Sequence, residues 1–174
     1  LGDVYKRQLM AGAILSDTVM FKSPTCTKRD IAMAERMARI ANVSLKELGN
    51  LIFAASSAGD KSAEDLCFAD FKEFHIAAHY LGVGQVTSLD SAKVLERKDE
   101  LLAVMATKLE QQHYDMIALM VTDVLLEGTN LLYIGNDDTI RTAFSVEPKD
   151  SAVFLPGVMS RKKQIIPMLT ALWG

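Results

Sequence analysis

Arg161-Lys162-Lys163 follows Ser160 and the turn Pro156-Gly157, and it is the one run of three consecutive cations in the chain. Three cations at the start of a helix oppose the helix dipole, which prefers anions there. The same arrangement suits an external anion. Free backbone N–H groups, a guanidinium and ammonium groups together make a phosphate site. The plain alternative is a solvated basic patch. Pro167 removes one backbone donor from the helix, so its regular part is expected nearer Pro167, with Arg161 and Lys162 on a loop at its mouth.

Asp17 is the second candidate. It sits in AGAILSDTVMF, among apolar residues. A buried carboxylate is costly unless it is paired, protonated or bound to a metal. The economical alternative is a helix end at which Asp17 caps or turns the chain. Lys72, in FADFKEF, reads on its own as a surface lysine. His75 and His79 have the i, i+4 spacing of a helical metal pair, but Gly82 and Gly84 follow at once, so the segment reads as a hairpin. Gly82-Val83-Gly84 lacks the third glycine of a dinucleotide fingerprint and opens a strand rather than a helix. His113 falls at a helix end, and Met33 and Met37 read as core filling.

The elements that must position these residues are legible from periodicity and caps. Leu9 to Met20 reads as a buried helix. Ser23 before Pro24 is pushed out of the helical region. Thr27 with Asp30 resembles a capping box, opening a helix to about Ala41 with Ile31, Ala34, Met37, Ala38 and Ala41 on one face. Ser44 and Glu47 box a further helix, with Leu48, Leu51, Ile52 and Ala55 along its face. The small, polar run from Ser56 to Ser62 is the best linker candidate. Beyond it, Val83 to Leu89 reads as a strand and Ala92 to His113 as one long amphipathic helix. Asp115 to Leu125 and Asn130 to Ile134 read as strands joined by a turn at Gly128. Ile140 to Phe144 is a short helix or strand, Val153 to Leu155 a strand, and Ser160 to Trp173 a closing helix. This order predicts an α/β layer after a helical tail. Leu1 to Gln8 shows no periodicity and reads as a non-native cloning or sequencing scar, with cleavage of a longer precursor as the alternative.

Composition narrows the function. The 174 residues are 49% hydrophobic and 24% charged, which are globular proportions. Nineteen Lys and Arg against 22 Asp and Glu leave a net charge of −3, which argues against a broadly basic nucleic-acid binder. No apolar run approaches the roughly 18 residues that a membrane span needs. Cys26 and Cys67 form no CxxC pair and read as reduced thiols of a cytoplasmic protein.

Two long segments resemble one family. Ala13 to Thr27, AILSDTVMFKSPTCT, resembles the signature around the last metal ligand of the family II inorganic pyrophosphatases, manganese-dependent enzymes of the DHH phosphoesterase superfamily. Leu155 to Leu169, LPGVMSRKKQIIPML, resembles that family's C-terminal phosphate-binding motif. FKEF at 71–74 and GVGQV at 82–86 are similar to the family as well, as are the spacings from Asp17 to Lys72 and on to Arg161. The likeness runs over nearly the whole chain.

The resemblance implies an α/β chain: the helical C-terminal part of a DHH domain over 9–57, a linker over 58–62, and a DHHA2 domain over 63–174 with a mixed β-sheet flanked by helices. It implies Asp17 as a metal ligand and Lys72, Arg161 and Lys162 as the grip on pyrophosphate, with Ser160 and Lys163 in supporting positions. It implies Mn2+, with Co2+ as a substitute and Mg2+ accompanying the substrate, and a homo-oligomeric parent. Where relatives carry CBS domains upstream, it implies regulation by adenine nucleotides. The expected reaction is hydrolysis of pyrophosphate to two phosphates. A two-metal centre activates the attacking water and polarises phosphorus, while Arg161 offers a bidentate fork and Lys72 and Lys162 point charges.

The family's upstream metal motifs, the DHH triplet included, have no counterpart in this sequence. One carboxylate does not build a two-metal site, so the chain is expected to be the C-terminal fragment of an enzyme and inactive alone. Two other readings follow from the same residues. One is a DHH-type phosphoesterase acting on short polyphosphate or a nucleotide. The other is a non-catalytic phosphate-binding module.

Overall fold

The computed structural model describes residues 2–55 and 61–174. The chain forms two compact units, Leu1–Ser57 and Ala58–Gly174. Of the linker expected over 58–62, residues 58–60 lie outside the described residues, and Ser62 already caps the next helix.

The first unit holds three helices: α1 (Gly2–Asp17), α2 (Lys28–Ala41) and α3 (Leu45–Ala55). α1 starts upstream of the expected Leu9. Its first turns carry Asp3 at the positive end of the dipole and leave Val4 and Tyr5 exposed, so they extend the helix without an apolar stripe. Thr27 and Asp30 make a full capping box at the start of α2: the Thr27 N–H donates to Asp30 Oδ2 at 2.8 Å, and the Asp30 N–H donates to Thr27 Oγ1 at 3.3 Å. Asn42 ends α2 in the left-handed conformation, which asparagine tolerates. Ala34, Met37, Ala38 and Ala41 are buried, but Ile31 is exposed. In α3 the buried side chain is Phe53, while Leu51 lies exposed. The helix is rotated from the expected stripe because Gly49 admits the Met20 side chain, whose Cε lies 2.8 Å from where a Cβ would sit.

The second unit is a five-stranded sheet between helices. Its elements are α4 (Ala63–Phe68), β1 (Phe71–Ile76), β2 (His79–Ser88), α5 (Ala92–Leu95), α6 (Lys98–Gln112), β3 (Met116–Asp123), β4 (Gly128–Ile134), α7 (Asp137–Phe144), β5 (Ala152–Pro156) and α8 (Ile166–Trp173). The strands lie in chain order, with β2 and β3 parallel and every other pair antiparallel. The α5–α6 crossover is what a parallel pair requires.

Central β3 is buried along its whole length, and its alternation divides the core. Met116, Ala118 and Met120 face one side with Leu81, Val83, Leu131, Tyr133, Ile140 and Leu169. Ile117, Leu119 and Val121 face the other with Leu66, Cys67, Leu101 and Met105. α7 and α8 therefore cover the first face, and α4 and α6 the second.

The expected single helix from Ala92 to His113 is broken at Glu96–Arg97. There the Arg97 guanidinium is held by Glu100, with Nε to Oε2 at 2.8 Å, and by the Lys61 carbonyl at 2.7 Å. Gly128 belongs to β4 rather than to a turn. Ile140–Phe144 is helical, within α7. His75 and His79 do lie in a hairpin, that of β1 and β2. Their rings stack on Tyr80 at 4.4 Å and on Trp173 at 4.3 Å respectively. Gly82 and Gly84 permit close approach. A Cβ on Gly82 would lie 2.0 Å from the Phe71 ring, and one on Gly84 would lie 2.1 Å from the Cys67 carbonyl oxygen.

Candidate functional site

The cationic run begins inside a widened turn. Arg161–Ile165 is π-helical, and the Ile166 N–H returns to the Arg161 carbonyl. Pro167 accounts for this. It donates no hydrogen bond, and in a regular helix its ring would meet the carbonyl four residues back. The ladder widens ahead of it, and α8 starts at Ile166. The expected helix from Ser160 to Trp173 is thus a π turn followed by a helix, and Arg161 and Lys162 lie in that turn rather than on a loop.

Side chains fix the approach to the turn. Gln164 Oε1 accepts the N–H groups of Met159, at 2.8 Å, and Ser160, at 3.0 Å, and Gln164 Nε2 donates to the Gly157 carbonyl at 2.8 Å. Ser160 Oγ accepts the Lys163 N–H at 3.3 Å. Thr129 Oγ1 donates to the Val158 carbonyl at 2.6 Å and lies 3.1 Å from Thr122 Oγ1, to which Gln85 Nε2 donates. This small buried network rivets the 157–160 loop to β2, β3 and β4.

Arg161 is buried and turned inward. Its Nη1 donates to the carbonyls of Asp70, at 2.7 Å, and Val83, at 2.8 Å. Its Nη2 donates to Asp70 Oδ1 at 2.7 Å. Asp70 lies two residues before Lys72, and Val83 is the cross-strand partner of Lys72 in the β1–β2 hairpin. Lys72, Phe74 and Ile76 alternate onto the face of the sheet that carries α8 and the π turn. The structure therefore gathers Lys72 and the Arg161–Lys162 turn at one corner of the sheet. Lys72 and Lys162 are both exposed.

Asp17 belongs to the other unit. It is exposed, the last residue of α1, and so at the end of the helix dipole that favours a cation. The chain then runs through three consecutive left-handed residues, Val19, Met20 and Phe21, at φ 50°, 52° and 69°. Non-glycine residues in that region store about 1–3 kcal/mol each, held here by bonds such as Ser23 N–H to the Thr18 carbonyl at 2.9 Å. Among the described residues no three His, Cys, Asp or Glu side chains cluster to hold a metal. Asp17 alone does not make a metal centre.

Sequence reasoning missed Asp70, Gln164 and the Gln85–Thr122–Thr129 network. Their partners lie far away in sequence, and no local spacing marks them. The two cysteines carry no disulfide. Burial pushes the Cys67 thiol up to about 12. Among the described residues no helix is long and apolar enough to cross a membrane.

Comparison with known proteins gives a consistent set of matches. The DHHA2 domain model matches residues 50–172. The chain is 40% identical over 163 residues to the manganese-dependent inorganic pyrophosphatase of Methanocaldococcus jannaschii, covering 92% of this chain and 53% of that protein. It is 42% identical over 166 residues to the cobalt-dependent inorganic pyrophosphatase of Clostridium perfringens, covering 94% of this chain and 30% of that one. The crystal structure of a family II inorganic pyrophosphatase candidate from Methanococcus jannaschii superposes with a TM-score of 0.84 at 39% identity, over 92% of this chain and 53% of that one. The chain spans about half the length of the first of these relatives and less of the second.

Proposed function

This chain belongs to the DHHA2 domain family, and we propose that it is the C-terminal part of a manganese-dependent inorganic pyrophosphatase, in which it supplies the cationic grip on the substrate. The observation that carries the reading is the corner shared by Lys72 and the Arg161–Lys162 turn, one guanidinium and two ammonium groups beside the Asp70 carboxylate. A dense anion such as pyrophosphate needs such a set. The guanidinium takes two oxygens in a plane, and the ammonium groups neutralise charge from other directions. In this reading 63–174 is the substrate-binding domain and 9–57 the tail of the metal-binding one.

Asp17 would supply one carboxylate to a metal centre completed by residues outside this chain. Carboxylate and imidazole donors suit Mn2+ or Co2+, and Mg2+ would accompany the pyrophosphate. The reading includes a cytoplasmic, homo-oligomeric parent, with adenine-nucleotide control where CBS domains lie upstream.

The test is reconstitution. The chain is expected to bind pyrophosphate without turnover when alone. Joined to the upstream half of its own gene, it is expected to release phosphate from pyrophosphate with Mn2+ or Co2+. A joined protein that is inert toward pyrophosphate but cleaves a nucleotide or short polyphosphate would replace this reading with a broader phosphoesterase.

A further inference from the structure

Arg161 has five N–H bonds, and three of them are committed inside the chain. Asp70 takes the end-on edge of the guanidinium, with its carbonyl on Nη1 and its carboxylate on Nη2, and the Val83 carbonyl takes the other Nη1 hydrogen. What is left is one intact fork, Nε–H with the second Nη2–H. These two bonds run parallel, in the geometry that grips two oxygens of one phosphoryl group. Among the described residues no fully buried side-chain nitrogen or oxygen lacks a hydrogen-bond partner, so the unbonded Nε keeps some exposure within a side chain that is 7% exposed as a whole.

We propose that Asp70 is the positioning residue of the anion site: it fixes the Arg161 guanidinium so that only the Nε/Nη2 fork faces the phosphoryl group. This rests on the pyrophosphate reading and adds to it a residue that does not touch the substrate. The arrangement has a measurable cost. Asp70 places a negative charge, 56% exposed, next to a site for an anion. A residue that acted only through its charge would therefore oppose binding. A positioning residue favours it. The two roles predict opposite signs.

The experiment is calorimetric titration of the full chain with pyrophosphate for wild type, Asp70→Ala, Asp70→Asn and Arg161→Lys, with Asp70→Ala repeated in the Arg161→Lys background. Asp70→Ala keeps the backbone carbonyl and loses only the carboxylate, so the variant retains two of the three anchors. Positioning predicts about tenfold weaker binding in Asp70→Ala, the loss of about one well-aligned charge-assisted hydrogen bond. It predicts recovery in Asp70→Asn, which keeps an acceptor oxygen, and less than about twofold effect in the lysine background, where no fork remains to be aimed.

Tighter binding in both Asp70 variants, or an equal loss in the lysine background, would overturn it. A ligand-free arm reads the guanidinium itself. Resolved, slowly rotating Arg161 Nη signals in the nitrogen-15 NMR spectrum of wild type should collapse in Asp70→Ala, and unchanged signals would overturn the inference. Absence of pyrophosphate binding by the wild-type chain would overturn the proposed function instead, and the spectroscopic arm would then decide the role of Asp70 alone.

Discussion

Arg161 and Asp70 meet twice, once through the Asp70 carboxylate and once through its backbone carbonyl, both at 2.7 Å. The double contact makes Arg161 a structural residue as well as a candidate ligand. Arg161→Ala removes the guanidinium bonds to the carbonyls of Asp70 and Val83, although the Asp70 carbonyl keeps the Gln85 N–H at 3.0 Å. We expect a loss of about 2 kcal/mol from the lost charge-assisted bonds, read as a lower midpoint in urea. The ion pair itself adds little, because Asp70 is 56% exposed. A midpoint equal to wild type would remove the structural role.

Lys72 and Lys162 separate binding from stability. Both are exposed. Lys72→Ala and Lys162→Ala should each leave stability within about 0.5 kcal/mol of wild type and each weaken pyrophosphate binding about tenfold at low salt, with the effect shrinking as ionic strength rises. Parallel thermal melts and titrations over a salt series check both halves.

Asp123 contributes to the acid limb of stability. It is 2% exposed and sits at the end of β3. Its carboxylate accepts the Leu126 N–H at 2.8 Å and the Ser91 N–H at 2.9 Å. Burial acts to raise its pKa, but the bonds from Leu126, Ser91 and Leu125 outweigh it, and the folded carboxyl titrates below its ordinary value. A depressed folded pKa gives stability that is complete above the unfolded pKa of about 3.9 and is lost as pH falls through the folded value. Asp123→Asn should cost about 2 kcal/mol at pH 7 and flatten the decline in stability below about pH 4. Urea midpoints at several pH values would reveal it.

Among the described glycines, Gly84 makes the closest approach to another backbone atom. Gly84→Ala would drive a methyl to within 2.1 Å of the Cys67 carbonyl oxygen, which is backbone and cannot swing aside. A loss of about 3 kcal/mol is expected, with α4 displaced. The Cys67 thiol then reports the change. Held at about 12 by burial, it should resist alkylation in the wild type and react in the variant, while Cys26, which is partly exposed, reacts in both.

Local signals carried much of the fold. The capping box of Thr27 and Asp30, the hairpin at His75 and His79 and the apolar run of β3 each have a cause within a few residues. α4, only six residues long, has no periodicity to detect. The break at Arg97 depends on Glu100 and on Lys61, 36 positions away. At the candidate site, the RKK run and Pro167 marked the turn. The inward orientation of Arg161 was not legible, because its partners are 91 and 78 positions distant and no spacing rule connects them. Gly82 and Gly84 could be dismissed as a nucleotide loop, but their reason, the Phe71 ring and the Cys67 carbonyl, exists only in three dimensions.

The long reach of Arg161 has a consequence for the order of folding. Its bonds to Asp70 close a loop of 91 residues, which in a free chain costs on the order of 4 kcal/mol in entropy. Three hydrogen bonds from a charged donor, at about 1.5 kcal/mol each, roughly offset that cost and leave almost nothing for fixing the chain that carries them. The β1–β2 hairpin and the β2–β3–β4 pairing must first bring the ends together, so the corner is assembled late. During refolding, affinity for pyrophosphate should lag behind the circular-dichroism signal of the sheet, and on the ribosome the site cannot exist until Arg161 has emerged.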